Sequence, residues 1–323
     1  EEAARIYGYD KIPSTIPNIV ERGARRTPDM AVDRKIRRTL TGLGFDEIIT
    51  YGLIDRKSLG ASGSSAGECV EIKNPLSGDA DVLRTSLVPG LLNAIAWNTN
   101  RKAADLKFFE LGNIYTKEGS AFSETKTLAI GMTGPSGFGW RGGLSDLDFF
   151  DLKGAVENLF SELGAEPFSL EETRDERFCI GQAASIAVRG EALGALGKLA
   201  PKVLAEFDIK HPVYICELRA HPLLKHANLK KTFKALPKYP SVFRDISIIV
   251  GKEVKNFELT SSIKNAAGPT LKETRLIDRY TGRQIPDGKI GLTYRLEYQD
   301  LKKTLEEREV SGIHSKILRA LEE

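Results

Sequence analysis

Lys289-Ile290-Gly291-Leu292-Thr293-Tyr294-Arg295-Leu296-Glu297-Tyr298 alternates without a break. Ile290, Leu292, Tyr294, Leu296 and Tyr298 fall on every second position, the period at which side chains of a β-strand point to opposite faces. The stretch predicts a half-buried strand, with Thr293, Arg295 and Glu297 opposite its apolar face. Working outward, Ile246, Ile248 and Val250 alternate along an earlier strand. A helix is expected near residues 257–265, a strand over 271–280 and a closing helix over 306–321.

The order β-α-β-β-α is most of a ferredoxin-like split βαβ unit, lacking only its last strand. In such a unit both helices cover one face of the sheet. The other is left as a polar surface on which a single-stranded nucleic acid can lie.

The rest of the chain needs a second core. At 323 residues, 41% hydrophobic and 28% charged, it has the composition of an ordinary globular protein and the length of two domains. No apolar run is long enough to cross a bilayer, so no membrane partner is expected. Glu1-Glu2-Ala3-Ala4-Arg5 has neither the basic nor the apolar region of a secretory signal, which points to the cytoplasm. A start on Glu rather than Met suggests a piece of a longer chain. Cys69, Cys179 and Cys216 are odd in number and far apart, with no C-x-x-C and no His at ligand spacing. They are expected to be buried free thiols rather than a disulfide framework or a zinc site. The net charge of +3 hides an asymmetry: residues 225–323 carry 20 Lys+Arg against 13 Asp+Glu, and residues 1–224 carry 27 against 31. The positive field lies in the last third, where a polyanion would attach.

Pro13, Pro17 and Pro28 make a linker of the first residues. A helix follows, with Thr27 as N-cap, Pro28 at its first position and Val32, Ile36, Leu40 and Leu43 as its apolar stripe. Residues 45–53 and 69–73 read as strands, 91–100 as a helix, and 108–115 and 127–132 as further strands. The glycine-rich loops at 60–67 and 134–143 carry no Gly-Lys-Ser/Thr ending, which excludes a phosphate loop. Leu152, Val156, Leu159 and Leu163 share one helix face that Gly164 ends. Strands near 183–189 and 213–218 complete the larger domain. The Lys-rich stretch 222–237, ending in proline, is the expected boundary.

Several stretches, in order, resemble the β subunit of bacterial phenylalanine–tRNA ligase, in its C-terminal portion. Glu1 through Pro13 is similar to the end of the metal-binding domain that precedes the synthetase-like module. Asn74-Pro75-Leu76-Ser77, Leu83 through Leu92 and Phe109-Glu110-Leu111-Gly112 resemble that module's middle, and Asp148 through Gly154 its later helix start. Lys238 through Asp245 resembles the opening of the anticodon-binding module, and residues 288–305 its third strand and exit. The resemblance implies an α+β chain in three parts: a domain tail and linker (1–20), a class II synthetase-like mixed or antiparallel sheet domain (21–224) and a ferredoxin-like anticodon-binding domain (232–323). It implies a partner α subunit in an α₂β₂ tetramer, tRNA(Phe) as the bound RNA, and ATP and Mg²⁺ as needs of the whole enzyme.

The family's catalytic centre lies in the α subunit, and the residues here agree with an idle β-subunit copy. Adenylate formation needs cations on the triphosphate, normally an Arg after the second motif's first strand and another starting a late helix. Gly112-Asn113-Ile114-Tyr115-Thr116 has Thr in the first place, and Lys117 lacks the bidentate fork of Arg. The glycine-rich stretch Gly190 through Pro201 lacks a closing Arg, and Tyr51 stands where the first motif has proline. Arg84 reads as a structural salt bridge rather than a remnant. The four histidines have no triad partners. No catalytic residue is therefore expected. Glu1 and Glu2 match two carboxylates that the family uses with two upstream Asp residues to bind Mg²⁺. For RNA contact the residues are Lys238, Tyr239, Arg244, Arg275, Arg279, Tyr280 and Arg295, cations for phosphates and rings for unpaired bases. Two rival readings stand beside this one: an active single-chain, mitochondrial-type synthetase, and a stand-alone RNA-binding or scaffold protein. The helix over residues 32–43 is a candidate contact with the α subunit.

Overall fold

A computed structural model describes residues 1–15, 28–63, 66–75, 77–78, 80–136, 145–233, 235–282 and 285–322. Thr27, Pro17, the boundary at 20–21 and residues 137–143 of the second glycine-rich loop lie outside the described residues. The chain divides into two compact units, Glu1–Lys231 and Thr232–Glu323.

In the first unit a short helix, α1 (Glu2–Tyr7), is followed by α2 (Pro28–Gly42), which starts on the proline whose fixed φ suits a first turn. Next come β1 (Asp46–Glu47), β2 (Leu53–Ile54), α3 (Leu59–Ser62), β3 (Val82–Leu83) and α4 (Val88–Thr99). Two long strands, β4 (Leu106–Glu118) and β5 (Ala121–Thr133), precede α5 (Phe149–Leu163). The unit ends with β6 (Phe168–Glu172), β7 (Phe178–Val188), β8 (Glu191–Leu199), α6 (Pro201–Glu206), β9 (Val213–Arg219) and α7 (Ala220–His226). Seven strands make one sheet in the order β1-β4-β5-β9-β8-β7-β6, antiparallel except where β1 runs parallel to β4.

Both faces of that sheet are covered. Ile36 and Leu40 of α2 and Leu152, Leu159 and Phe160 of α5 pack with Phe109, Leu128 and Ile130 on one face. Leu91, Leu92 and Ile95 of α4 and Val203 of α6 pack with Phe108, Ala129 and Ile215 on the other. Helix α5 is closed by a capping box in which Asp148 accepts from the Asp151 amide and Asp151 from the Asp148 amide.

Two expectations fail here. The strand over 45–53 is two short pieces, β1 and β2, because the Thr50 amide and hydroxyl donate to the Glu110 carboxylate instead of joining a ladder. Residues 69–73 hold only a single bridge, Glu71 to Val82. The glycine-rich stretch holds strand β8 and the start of α6. Its glycine serves close approach, since a Cβ on Gly194 would lie 1.9 Å from the Glu217 carbonyl oxygen.

The second unit holds β10 (Val242–Gly251), α8 (Asn256–Ala267), β11 (Leu271–Tyr280), β12 (Lys289–Tyr298) and α9 (Glu307–Glu322). The sheet order is β10-β12-β11, all antiparallel, and no further strand adjoins β10 among the described residues. Ile290, Leu292, Tyr294, Leu296 and Tyr298 are buried with Leu259 and Ile263 of α8 and Val310 and Ile317 of α9. The helices lie on that one face, and the fold class is α+β.

Candidate nucleic-acid interface

The helix-free face of the second sheet is laid out by its register. Side chains paired directly across an antiparallel sheet share a face. One row is Phe243, Glu297 and Glu273; the next is Asp245, Arg295 and Arg275. After a shift in β11 between Leu276 and Asp278, the rows are Ser247, Thr293, Asp278 and then Ile249, Gly291, Tyr280. Successive rows are two residues, or about 7 Å, apart along the strands.

The seven residues the sequence picks for RNA do not form one surface. Lys238 and Tyr239 precede β10 and Tyr280 ends β11, at opposite ends of a sheet about 30 Å long. Arg244 pairs with Leu296 and Arg279 with Leu292, both apolar-face residues, so these two arginines lie on the helix side. Arg279 and Tyr280 are chain neighbours that point to opposite faces. Only Arg275, Arg295 and Tyr280 share the open face.

Charge is equally altered by the fold. Arg295 donates to both oxygens of Asp245 at 2.9 and 2.8 Å, and Arg275 to both of Glu273 at 2.6 and 2.8 Å. Arg244 binds Glu307 of α9 through both oxygens, not Asp245 or Asp278. The hydrogen bonds from Arg295 and Arg275 hold the Asp245 and Glu273 carboxyls below the usual carboxylate range. Lys238 and Arg279 make no ion pair among the described residues. Tyr280 is 46% exposed rather than core, and its ring lies over the backbone of Gly282, where a Cβ would stand 1.8 Å from the hydroxyl. Phe243 and Ile249, 52% and 54% exposed on the same open face, escape a reading of cations and tyrosines. The alternation of β10 could have found them, since both are out of phase with Ile246 and Ile248.

In the first unit, Arg84 and Glu110 are buried and closed on each other at 2.7 Å. Arg84 also donates to the Asn113 carbonyl at 2.8 Å and the Thr50 hydroxyl at 3.0 Å. A second carboxylate, the half-buried Glu217 of β9, accepts from the Ser86 hydroxyl, the Leu87 amide and Arg177. Burial works against the charge on Arg177, yet Asp175 and Glu217 together hold its pKa above the usual value. Thr116 stands in β4. The glycine-rich stretch forms β8 and leads into α6, a strand–helix step without an arginine, and the next such step, β9 into α7, carries one: Arg219 is the N-cap of α7. Its guanidinium donates to the Ala192 carbonyl.

Glu1 occupies the N-cap position of α1 without a side-chain cap bond, and Glu2 is bonded to Arg5. Among the described residues no three His, Cys, Asp or Glu are grouped to hold a metal, so these two carboxylates do not fit Mg²⁺ by themselves. Cys69 and Cys216 are buried, and burial pushes the Cys216 thiol up. Cys179 is only half-buried and donates to the Leu199 carbonyl. His226 bonds Glu191, and His314 faces the Tyr298 hydroxyl. No helix of the described residues is long and apolar enough to cross a membrane.

The larger sheet defines the class first. Its fold is shared with a pyrrolysyl tRNA synthetase of Desulfitobacterium hafniense, at a TM-score of 0.50 and 14% identity over 63% of this chain and 68% of that one. That likeness is one of fold. Residues 12–220 match the family described as the phenylalanyl tRNA synthetase beta chain CLM domain, and residues 237–323 match the ferredoxin-fold anticodon binding domain. The chain belongs to the phenylalanyl-tRNA synthetase β-chain family. It is similar to the phenylalanine–tRNA ligase β subunits of Bacillus subtilis, 38% identical, and Clostridium tetani, 36% identical, across 100% of this chain in each case. The chain spans 40% of the length of these relatives.

Proposed function

We propose that this chain serves a cytoplasmic phenylalanine–tRNA ligase without doing its chemistry: it supports an α subunit and holds the anticodon region of tRNA(Phe). One observation carries the non-catalytic half. The buried cation nearest to a catalytic candidate, Arg84, has its charge already paired by the buried Glu110, and its Nε and Nη1 are turned to Asn113, Thr50 and Glu110. Thr116 in β4 has no charge to offer, and Arg219 is bonded to a main-chain carbonyl. ATP and Mg²⁺ are needs of the whole enzyme. Mg²⁺ at Glu1 and Glu2 would require further carboxylates.

For the α subunit, the apolar stripe of α2 is spent on its own core. Ile49 and Tyr51, 91% and 90% exposed, are better placed; with Trp97 they line a cleft of about 780 Å³. For tRNA, the support is the helix-free face with Tyr280, and Lys238 and Arg279, which make no ion pair among the described residues.

The test is made on the chain alone. No ATP–pyrophosphate exchange above blank is expected, and exchange would sink the non-catalytic reading. Binding of a tRNA(Phe) transcript is expected to weaken with salt. Arg279→Ala should lower the log–log slope by about 0.7, one phosphate's worth. Arg244→Ala should leave it unchanged, because Arg244 is held by Glu307. No tRNA affinity at any salt concentration would refute the RNA half.

A further inference from the structure

We infer that residues 225–231 are a strap held down on the first unit by a clasp at Glu191, so that the link on which the second unit turns is the stretch 232–238 alone. Opening the clasp lengthens that link. The inference concerns the reach of the second unit and is independent of what that unit binds.

The sequence predicts a Lys-rich boundary over 222–237, but the part before Thr232 is built into the first unit. Helix α7 buries Pro222 and Leu223 and ends on Lys225 and His226. Both reach one oxygen of Glu191 at the start of β8: Lys225 Nζ donates at 2.8 Å and His226 Nε2 lies at 3.0 Å. These bonds hold the Glu191 carboxyl below the usual carboxylate range. The chain then crosses to the end of α5. There the Asn228 amide donates to the Leu163 carbonyl at 2.7 Å, satisfying one of the acceptors that a helix leaves open at its C-terminus. Gly164 makes room for the crossing: its φ is +62°, and a Cβ there would stand 2.4 Å from the Asn228 carbonyl oxygen. The Asn228 side chain accepts from the Lys230 amide at 3.1 Å. Lys231 Nζ lies 3.6 Å from Glu162, which Lys35 also holds.

Beyond Lys231 these ties stop. Thr232, Phe233, Ala235, Leu236 and Pro237 are exposed and make no hydrogen bond among the described residues. Phe233 and Leu236 are 88% and 83% exposed, so no apolar packing replaces the missing bonds. The next tie belongs to the second unit, where the Tyr239 carbonyl accepts from Gln299 Nε2 at 2.9 Å. At ~3.3–3.6 Å per residue, residues 232–238 span at most about 25 Å, and residues 227–238 about 43 Å. The clasp therefore sets how far the second unit ranges from the first. Lys225 and Glu191 are exposed enough for water to compete for them, so the clasp is a weak tie that opens without unfolding the core beneath it.

The experiment is hydrogen exchange read by mass spectrometry on the whole 323-residue chain. It compares the parent with Glu191→Ala, with Lys225→Ala, which removes a partner from the other side of the clasp, and with Glu176→Ala, which breaks an exposed pair elsewhere in the unit. In the parent the Ala227, Asn228 and Lys230 amides are expected to be protected, and those of Thr232, Phe233, Ala235 and Leu236 to exchange as in an open chain. Glu191→Ala is expected to speed exchange over 227–230 about 2- to 30-fold, the worth of one or two partly exposed pairs. Lys225→Ala should act in the same direction and less strongly, while Glu176→Ala and the α5 amides keep the parent rates. Chymotrypsin should cut the parent after Phe233, and Glu191→Ala after Leu229 as well. Parent amides at Ala227 and Asn228 that exchange as fast as those of Thr232 and Phe233 would mean that there is no strap. Unchanged rates over 227–230 in Glu191→Ala would remove the clasp, and faster exchange throughout the first unit would make the effect one of general stability. Each of these three results overturns the inference.

Discussion

Replacing Arg84 with alanine removes the guanidinium that ties three segments of the synthetase-type domain together. Arg84 is 7% exposed and Glu110 2%. The substitution deletes the 2.7 Å bond to Glu110, the 2.8 Å bond to the Asn113 carbonyl and the 3.0 Å bond to the Thr50 hydroxyl. Glu110 is then left under the sheet with only Thr50, whose hydroxyl donates at 2.7 Å and whose amide donates at 3.3 Å. Breaking a buried pair by removing one partner costs about 3–5 kcal/mol, most of it from the stranded charge. For a unit of this size each kcal/mol lowers the melting temperature by about 2–4 °C, so a fall of roughly 6–20 °C is expected. Thermal melts and urea titrations of the whole chain, with the first unit's transition followed by circular dichroism, would measure it. The double variant Arg84→Ala/Glu110→Leu should be more stable than the single one, because no charge is left unpaired. A melting temperature within about 3 °C of the parent would refute the reasoning. So would two substitutions whose costs simply add. Arg84 would then be a side chain the fold does not need, as expected of a catalytic remnant.

Two other outcomes test separate parts of the fold. Gly194→Ala would place a Cβ 1.9 Å from the Glu217 oxygen and 3.1 Å from the Leu218 Cα, main-chain atoms that cannot swing aside. A lowered urea midpoint, worth about 1–3 kcal/mol, is expected, and an unchanged one would mean that β8 and β9 are not so closely apposed. In the second unit, burial first and then the charge of Arg244 lower the pKa of His314. The unfolded chain therefore takes up this proton before the folded one. Stability is whole above about pH 6.5 and falls as pH drops from there toward the folded value. His314→Gln should flatten the unit's stability between pH 7 and 5. Below about pH 4.5 the loss passes to Asp245, Glu273 and Glu297, whose pKa values are lowered by their cationic partners. A variant that tracks the parent between pH 7 and 5 would remove His314 from the account.

What the sequence by itself determined is whatever rests on a local period. The alternation over residues 290–298 makes β12, and with its neighbours it fixes the β-α-β-β-α order and the face that stays polar. The four-residue spacing of Val32, Ile36 and Leu40 and the apolar stripe of α5 are legible for the same reason: a helix or strand repeats its burial every few residues. Where local pattern and tertiary role diverge, the reading fails. Gly194 and Gly197 show no strand period and yet lie in β8, where the space their missing side chains leave is filled by chains far away in sequence. Residues 45–53 look like one strand and are two, because Glu110, sixty residues from Thr50, captures that residue's amide and hydroxyl. The candidate RNA surface divides along the same line. That Tyr280 lies on an open face and Arg279 on the helix side depends on a register shift in β11, which no periodicity announces. Which arginines keep a free charge was decided only when folding brought Arg295 to Asp245 across 50 residues and Arg244 to Glu307 across 63. An ion pair is a property of distance in space, and a sequence carries only distance along the chain.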